Sequence, residues 1–367
     1  MNRFLFFSLA KHQTLYFQRL LDENKLSGRV VTSQQLPIPS LHGVRRILSD
    51  IDWGRLVDEK CRERVVKKKY NGFLYRLLLR LEILLVALRV QTLVDRERPD
   101  VVVVWNGANR YCQVLLCLVP QGTRTFFVEN GLLPNTTTID ARGVNYHNSV
   151  PRNAAFYRSY AEGKDIEAEK DVALIPRKPR VADQEVVSLP ESFIFIPFQD
   201  DRDTQVRLFS PWIRDMRDLF ALGEKIVRET GMTVVFKEHP SSRESYSDLH
   251  ERTHERLRFA NGNPTQELIE KSLFVVTLNS TVGLESLLLG KPLLTLGQAF
   301  FNIEGVVMHA DSSDEAVEVV KRFPDWPLED SLRLGFLHFL RNEYCVPGRW
   351  QDSSPEHLRE VARRMQA

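Results

Sequence analysis

Four consecutive valines, Val101–Val104, leave the stretch Asp100–Trp105 few structural options. An unbroken β-branched run suits a strand covered on both faces, and such strands belong to parallel sheets flanked by helices. The chain supplies neighbours for it. FLFF (4–7), RVVT (29–32) and TFFVEN (125–130) read as further strands, and helical patterns at 13–24, 73–94 and 111–118 lie between them. A second series follows, with strands at 192–198, 232–236, 273–280 and 292–297. Helices at 212–230, 264–271 and 283–290 separate them. Strands alternating with helices over short loops give right-handed crossovers and a parallel sheet. The chain is therefore expected to be α/β, with two Rossmann-like domains whose parallel sheets face an interdomain cleft.

Length agrees, since 367 residues suit two domains. A charged, proline-containing stretch over 163–192 reads as a linker. The expected division is one Rossmann-like domain over 1–175, a second over 176–328, and C-terminal helices over 329–367 that pack back across the junction. Lys and Arg total 50 against 48 Asp and Glu, so the net charge of +2 offers no broad surface to nucleic acid. Cys61, Cys112, Cys117 and Cys345 form no CxxC pair and no dense framework, which reads as free thiols.

Two apolar segments need separate treatment. Phe4–Ala10 is at the lower limit of a signal core and reads better as a buried first strand. In residues 73–94, Arg76, Arg80, Glu82 and Arg89 interrupt the run, which favours a core helix over a membrane span. The other reading of that helix is a Leu/Arg face resting on an anionic membrane, with the basic run Arg62–Lys69 beside it.

Ligands of open α/β sheets bind beyond the carboxyl ends of the strands. Four polar segments occupy such positions. Glu129, Asn130 and Gly131 follow the strand at 125–128, where a carboxylate can serve as a base or the loop can simply make turns. Gln199, Asp200, Asp201, Arg202 and Asp203 follow the strand at 192–198. Lys237 and His239 follow the strand at 232–236, and two-residue spacing along an extended chain would aim both at one phosphate. Asn279, Ser280 and Thr281 stand where a strand gives way to a helix, either as an anion site or as a plain helix cap. No second His or Cys lies at ligand spacing from His239, so no metal is expected. A phosphate site in one domain and a carboxylate in the other is the layout of a GT-B glycosyltransferase.

The segments ENGLLPNTTTIDARGVNYHNSVPRNAAFY, IPFQDDRDTQVRLFSP, KEHP and LNSTVGLESLLLGKPLLTLGQAFFN resemble the bacterial capsule-polysaccharide synthesis family of retaining β-Kdo glycosyltransferases. That resemblance implies transfer of the acidic sugar Kdo from CMP-β-Kdo to a glycan or glycolipid of a capsule or O-antigen. It implies Asp203 as the nucleophile that forms a Kdo–enzyme adduct, and Glu129 as the acid/base toward the acceptor. Gln199, Lys237, His239, Asn279, Ser280 and Thr281 fall at donor positions, and Asn130, Gly131 and Asn145 in the acceptor loop. Arg202 and Arg207 are both near enough in sequence to meet the Kdo carboxylate. CMP-Kdo is a co-substrate, and no cofactor is expected. The expected setting is the cytoplasm, with peripheral association at the inner face of the membrane. Competing readings are another GT-B-like enzyme, such as a sialyltransferase or CDP-glycerol phosphotransferase, and a non-catalytic scaffold of an export complex.

Overall fold

The computed structural model describes residues 2–167, 174 and 185–366. The chain divides into two compact units, Met1–Ser149 with Tyr344–Ala367, and Val150–Glu343.

The first unit opens β1 (Phe4–Ser8), α1 (Lys11–Asn24), β2 (Gly28–Thr32), α2 (Val44–Asp50), α3 (Trp53–Val66) and α4 (Phe73–Glu97). It continues β3 (Val101–Trp105), α5 (Arg110–Leu118), β4 (Arg124–Asn130) and β5 (Thr136–Asp140). Its sheet order is β12-β5-β4-β3-β1-β2, where β12 is the late strand Val346–Pro347. The valine run behaves as its composition requires. Val102 and Val104 enter a core shared with α2 to α5, while Val101 and Val103 enter the core on the other face. The apolar start of the chain is the buried strand β1, paired in parallel with both β2 and β3.

The second unit runs α6 (Ala154–Ala161), β6 (Ile194–Pro197), α7 (Thr204–Phe209), α8 (Met216–Thr230), β7 (Val234–Lys237), α9 (Ser247–His250) and β8 (Leu257–Phe259). It ends with α10 (Thr265–Lys271), β9 (Val275–Thr277), α11 (Thr281–Leu288), β10 (Leu293–Thr295), β11 (Met308–His309), α12 (Ser313–Lys321) and α13 (Asp330–Phe339). Its sheet is parallel in the order β11-β10-β9-β6-β7-β8. Phe198, Phe220, Phe236 and Phe259 stack in one face of its core, with ring centroids 5.0 to 5.9 Å apart. After Tyr344 the chain returns to the first unit, where α14 (Pro355–Gln366) packs against α1.

The structure departs from the sequence reading in three places. The expected boundary at 175/176 lies outside the described residues, as does most of the expected linker. The units instead divide at 149/150 and 343/344, because α6 packs on α13 through Tyr157 and Phe336 (centroids 5.4 Å). The expected C-terminal helical segment is thereby split, α13 staying with the second unit and α14 with the first. The polar stretch after Glu129 is not all loop, since β5 folds back antiparallel on β4 with Glu129 opposite Thr138. Helix α4 buries residues from Leu79 onward but leaves its first turns exposed. The four cysteines are free, with Cys61, Cys112 and Cys345 buried, and burial pushes the Cys112 thiol up to about 12.

Asp140, at the end of β5, is buried and ties down the segment behind the Glu129 hairpin. It accepts from the backbone N–H of Arg142 (2.6 Å), Gly143 (3.2 Å) and Ser149 (2.7 Å), and from the hydroxyls of Ser149 and Tyr344 (2.7 Å each). Burial, with the neighbouring Asp140 charge, pushes the Tyr344 phenol far above its ordinary range. Replacing the carboxylate strands these donors in a dry site. Asp140→Ala should therefore lower unfolding free energy by about 3 kcal/mol or more in a denaturant titration, whereas a surface Asp→Ala control should cost about 0.5 kcal/mol or less.

Candidate active site

Both sheets reverse strand order once, and crevices open at such reversals. In the second unit the chain leaves β6 for β7 and β8 on one side, then returns to β9 on the other. The reversal lies between β6 and β9, and the segments after these two strands carry Gln199, Asp203, Asn279, Ser280 and Thr281.

A buried amide pair spans the reversal. Gln199 Nε2 donates to Asn279 Oδ1 (3.1 Å), and Asn279 N–H donates back to Gln199 Oε1 (3.4 Å). The Asn279 Nδ2 group also donates to the carbonyls of Gln205 and Phe209 (3.1 Å each), which fixes α7 beside the β9–α11 turn. Gln199 and Asn279 are 4% and 3% exposed, so the pair is packed inside the second unit. Asp203 caps α7, its Oδ1 accepting from the Gln205 N–H at 2.9 Å. Its side chain is exposed, and Oδ2 has no hydrogen-bond partner among the described residues. Across the reversal, Ser280 caps α11 by accepting from Val282 N–H (3.2 Å), and exposed Thr281 begins that helix. The plain capping role read from the sequence is thus real for Ser280.

The neighbouring acids have other tasks. Asp201 is buried, accepts from Met216 N–H and the Tyr246 hydroxyl (2.9 Å each), and has its pKa raised by that burial. Asp200 accepts from Arg202 N–H (3.0 Å) and so shapes the turn that presents Asp203.

Lys237 and His239 have separate partners in the structure. Strand β7 ends at Lys237, whose ammonium donates to the carbonyls of Asn261 (2.5 Å) and Asn263 (2.6 Å). Burial depresses its pKa. His239 lies beyond the strand in a turn, where its Nδ1 meets Ser241 Oγ at 2.9 Å. Two-residue spacing gives one direction only while the strand continues, and here it stops between them. The two arginines also separate. Arg202 pairs with Glu244 (2.8 Å), whereas Arg207 uses only its Nε, donating to the Arg202 carbonyl (3.2 Å), and makes no ion pair among the described residues.

In the first unit the reversal lies between β1 and β3. Beyond it, Glu129 is held by three donors: Asn106 Nδ2 on Oε2 (2.6 Å), and Asn130 N–H (2.9 Å) and Nδ2 (3.0 Å) on Oε1. Asn130 accepts in turn from Trp350 Nε1 (2.8 Å). Asn106 reaches Glu129 through a left-handed turn, with φ 59° at Asn106 and 79° at Gly107. A Cβ on Gly107 would lie 2.5 Å from the Phe127 ring, so only glycine fits there. Trp105, at the end of β3, meets Trp350 (5.0 Å) and His12 (6.0 Å), forming an aromatic wall beside the carboxylate network. Gly131 permits close approach to Thr136 in the β4–β5 turn. Asn145 begins a separate short turn, and no hydrogen bond joins it to Glu129 or Asn130 among the described residues. Asn106, Trp105, Trp350 and His12 lie outside the four polar segments that the sequence marks. Asn106-Gly107 directly after the valine strand was the one signal available, whereas Trp350 is 220 residues from Asn130.

Among the described residues, no group of His, Cys, Asp and Glu is arranged to hold a metal ion.

Residues 166–344 match the family described as "Capsule polysaccharide biosynthesis protein". Those residues are similar to that family. Protein FixF of Sinorhizobium fredii is 38% identical over 249 residues, covering 68% of this chain and 60% of the relative. The capsule polysaccharide export protein KpsS of Escherichia coli is 26% identical over 250 residues, covering 51% of this chain and 64% of the relative. The chain thus spans less than two thirds of the length of either curated relative. Among solved structures, the β-Kdo 2,7 transferase of Thermosulfurimonas dismutans KpsC matches over 100% of both chains, with a TM-score of 0.52 at 14% identity. At that identity the likeness is one of fold, and it supports the GT-B architecture.

The contrast between Asn279 and Lys237 is testable by denaturant titration. Asn279→Ala should cost about 2–3 kcal/mol, because the Gln199 amide and two carbonyls lose a buried partner. Lys237→Met should also destabilise, by about 1–3 kcal/mol, while changing CMP affinity in calorimetry less than about threefold. A stable Lys237→Met protein that no longer binds CMP would return Lys237 to the phosphate.

Proposed function

We propose that this chain is a retaining β-Kdo transferase that takes Kdo from CMP-β-Kdo and delivers it to a glycan or lipid-linked acceptor of a bacterial surface polysaccharide. One observation carries the reading. Asp203, with one carboxylate oxygen unengaged, and the start of α11 flank the strand reversal of the second unit. A nucleophile beside an anion site suits a donor whose reacting carbon adjoins a phosphate.

In the first displacement Asp203 Oδ2 attacks the anomeric carbon. The bond from that carbon to the phosphate oxygen breaks, and CMP departs with the electron pair. The leaving group carries one phosphate. The backbone N–H groups and hydroxyls at Ser280 and Thr281, with His239, are sufficient to receive it without a metal ion. Arg207, which has no acidic partner among the described residues, is assigned to the Kdo carboxylate in preference to Arg202, which Glu244 already pairs. In the second displacement Glu129 takes the proton of the acceptor hydroxyl, whose oxygen replaces Asp203 at the anomeric carbon. Two inversions return the original configuration. Trp105, Trp350 and His12 offer the acceptor ring an apolar face. A nucleotide-activated donor places the reaction in the cytoplasm.

Intact-protein mass after mixing with freshly generated CMP-Kdo, without acceptor, tests the reading. The wild-type chain should gain one Kdo and Asp203→Asn none. Consumption of CMP-sialic acid or CDP-glycerol instead would move the chain to another transferase class. No turnover of any donor would favour a scaffold role in export, the process stated in the name of the KpsS relative. Arg207→Met should raise KM for CMP-Kdo by about tenfold to a hundredfold while leaving CMP affinity nearly unchanged. An equal loss for both ligands would remove Arg207 from the sugar carboxylate.

A further inference from the structure

Helix α4 is apolar on two faces, and among the described residues only one of them is covered. Leu79, Ile83, Val86, Ala87 and Val90 are buried in the core of the first unit. Phe73, Leu74, Leu77, Leu78, Leu81 and Leu85 are exposed, Phe73 by 81% and Leu78 by 55%. At about 100° per residue these six side chains fill one arc of roughly 140° with no polar residue in it, over about 18 Å of helix. Farther along the same arc the helix is covered by the segment 36–41, which Arg89 holds by the carbonyls of Leu36 and Pro37, and Thr92 by Ser40 N–H. That covering segment itself exposes Ile38 (85%) and Leu41 (79%). The uncovered apolar surface therefore continues past the helix.

The rim of this surface is basic. Between residues 62 and 81 the chain carries seven Lys or Arg and a single acid, Glu63. Glu63 is occupied by Lys60 and Lys67, while Arg62, Lys68, Lys69 and Arg80 make no ion pair among the described residues. The corner that carries Lys67–Lys69 is held in place. Arg64 stacks on the Tyr75 ring (4.0 Å) and donates to the Tyr70 carbonyl (2.6 Å), and Arg76 pairs with Asp58 (3.1 Å). Glu82, the nearest acid on the helix, is taken by Arg110.

We infer that the α3–α4 corner docks the protein on the surface of an anionic lipid bilayer, with the leucine arc entering the headgroup–acyl boundary and the basic rim meeting lipid phosphates. An apolar arc with cations at its edge is the pattern of an interfacial helix. A second copy of the chain fits less well, because a symmetric contact would bring two basic rims together. None of this rests on the donor or on the reaction.

Co-sedimentation of the full chain with lipid vesicles tests the inference. Wild-type protein should bind phosphatidylcholine vesicles that contain phosphatidylglycerol, bind phosphatidylcholine alone far less, and release as salt rises. Leu78→Glu/Leu81→Glu should lower the bound-to-free ratio by about tenfold or more while keeping the wild-type circular dichroism, since both side chains are already exposed. Lys68→Glu/Lys69→Glu, in the turn outside the helix, should produce a comparable loss that is largest at low salt. Wild-type protein left in the supernatant with anionic vesicles would overturn the inference. So would both variants binding like wild type. A dimer in sedimentation velocity that the leucine variant dissociates, without vesicle binding, would assign the surface to a second copy.

Discussion

In the second unit, two amide side chains meet across the gap between strands that the chain leaves in opposite directions. Parallel sheets force long crossovers, and where the crossover direction changes no helix fills the crevice at the strand ends. Such a crevice is useful only if its walls stay fixed. Gln199 and Asn279 hold the ends of β6 and β9 together, and the remaining Asn279 donors secure α7. The cost of burying two amides is offset because most of their polar atoms find partners. The exposure of Asp203 and the start of α11 both depend on that arrangement.

The first unit reaches a comparable result by other means. Its carboxylate sits on a strand, Glu129 in β4, and is oriented by Asn130 at the end of the same strand and by Asn106 just after β3. Trp350 adds a donor from the chain's return segment, so the network depends on the late strand and α14 being in place. Asp140 supports the hairpin from behind through five donors. Each unit thus presents one exposed or half-exposed carboxylate on a base whose polar groups are committed inward.

Much of the architecture is legible in the sequence because parallel strands announce themselves as short apolar runs. The valine run, FLFF and FIFIP all become strands where expected. β5 escapes notice because its β-branched residues are threonines, which suit a strand but read as polar. At the site, the segments were legible and the directions of side chains were not. Lys237 turns to carbonyls 24 and 26 residues away, a partner choice that local spacing does not encode. The same holds for Trp350, brought to Asn130 only by the chain's return to the first unit. Helix α4 shows the converse. Its composition announced apolarity, but which face is covered depends on where α2, α3 and α5 pack.

The account turns on the reversal between β6 and β9 being where the nucleotide of the donor is held. Hydrogen exchange measured peptide by peptide, with and without saturating CMP, addresses that directly. Slower exchange is expected in residues 199–209 and 279–285, with the β4–β5 hairpin unchanged. Protection confined to other segments, or none at 279–285 under saturating CMP, would contradict it.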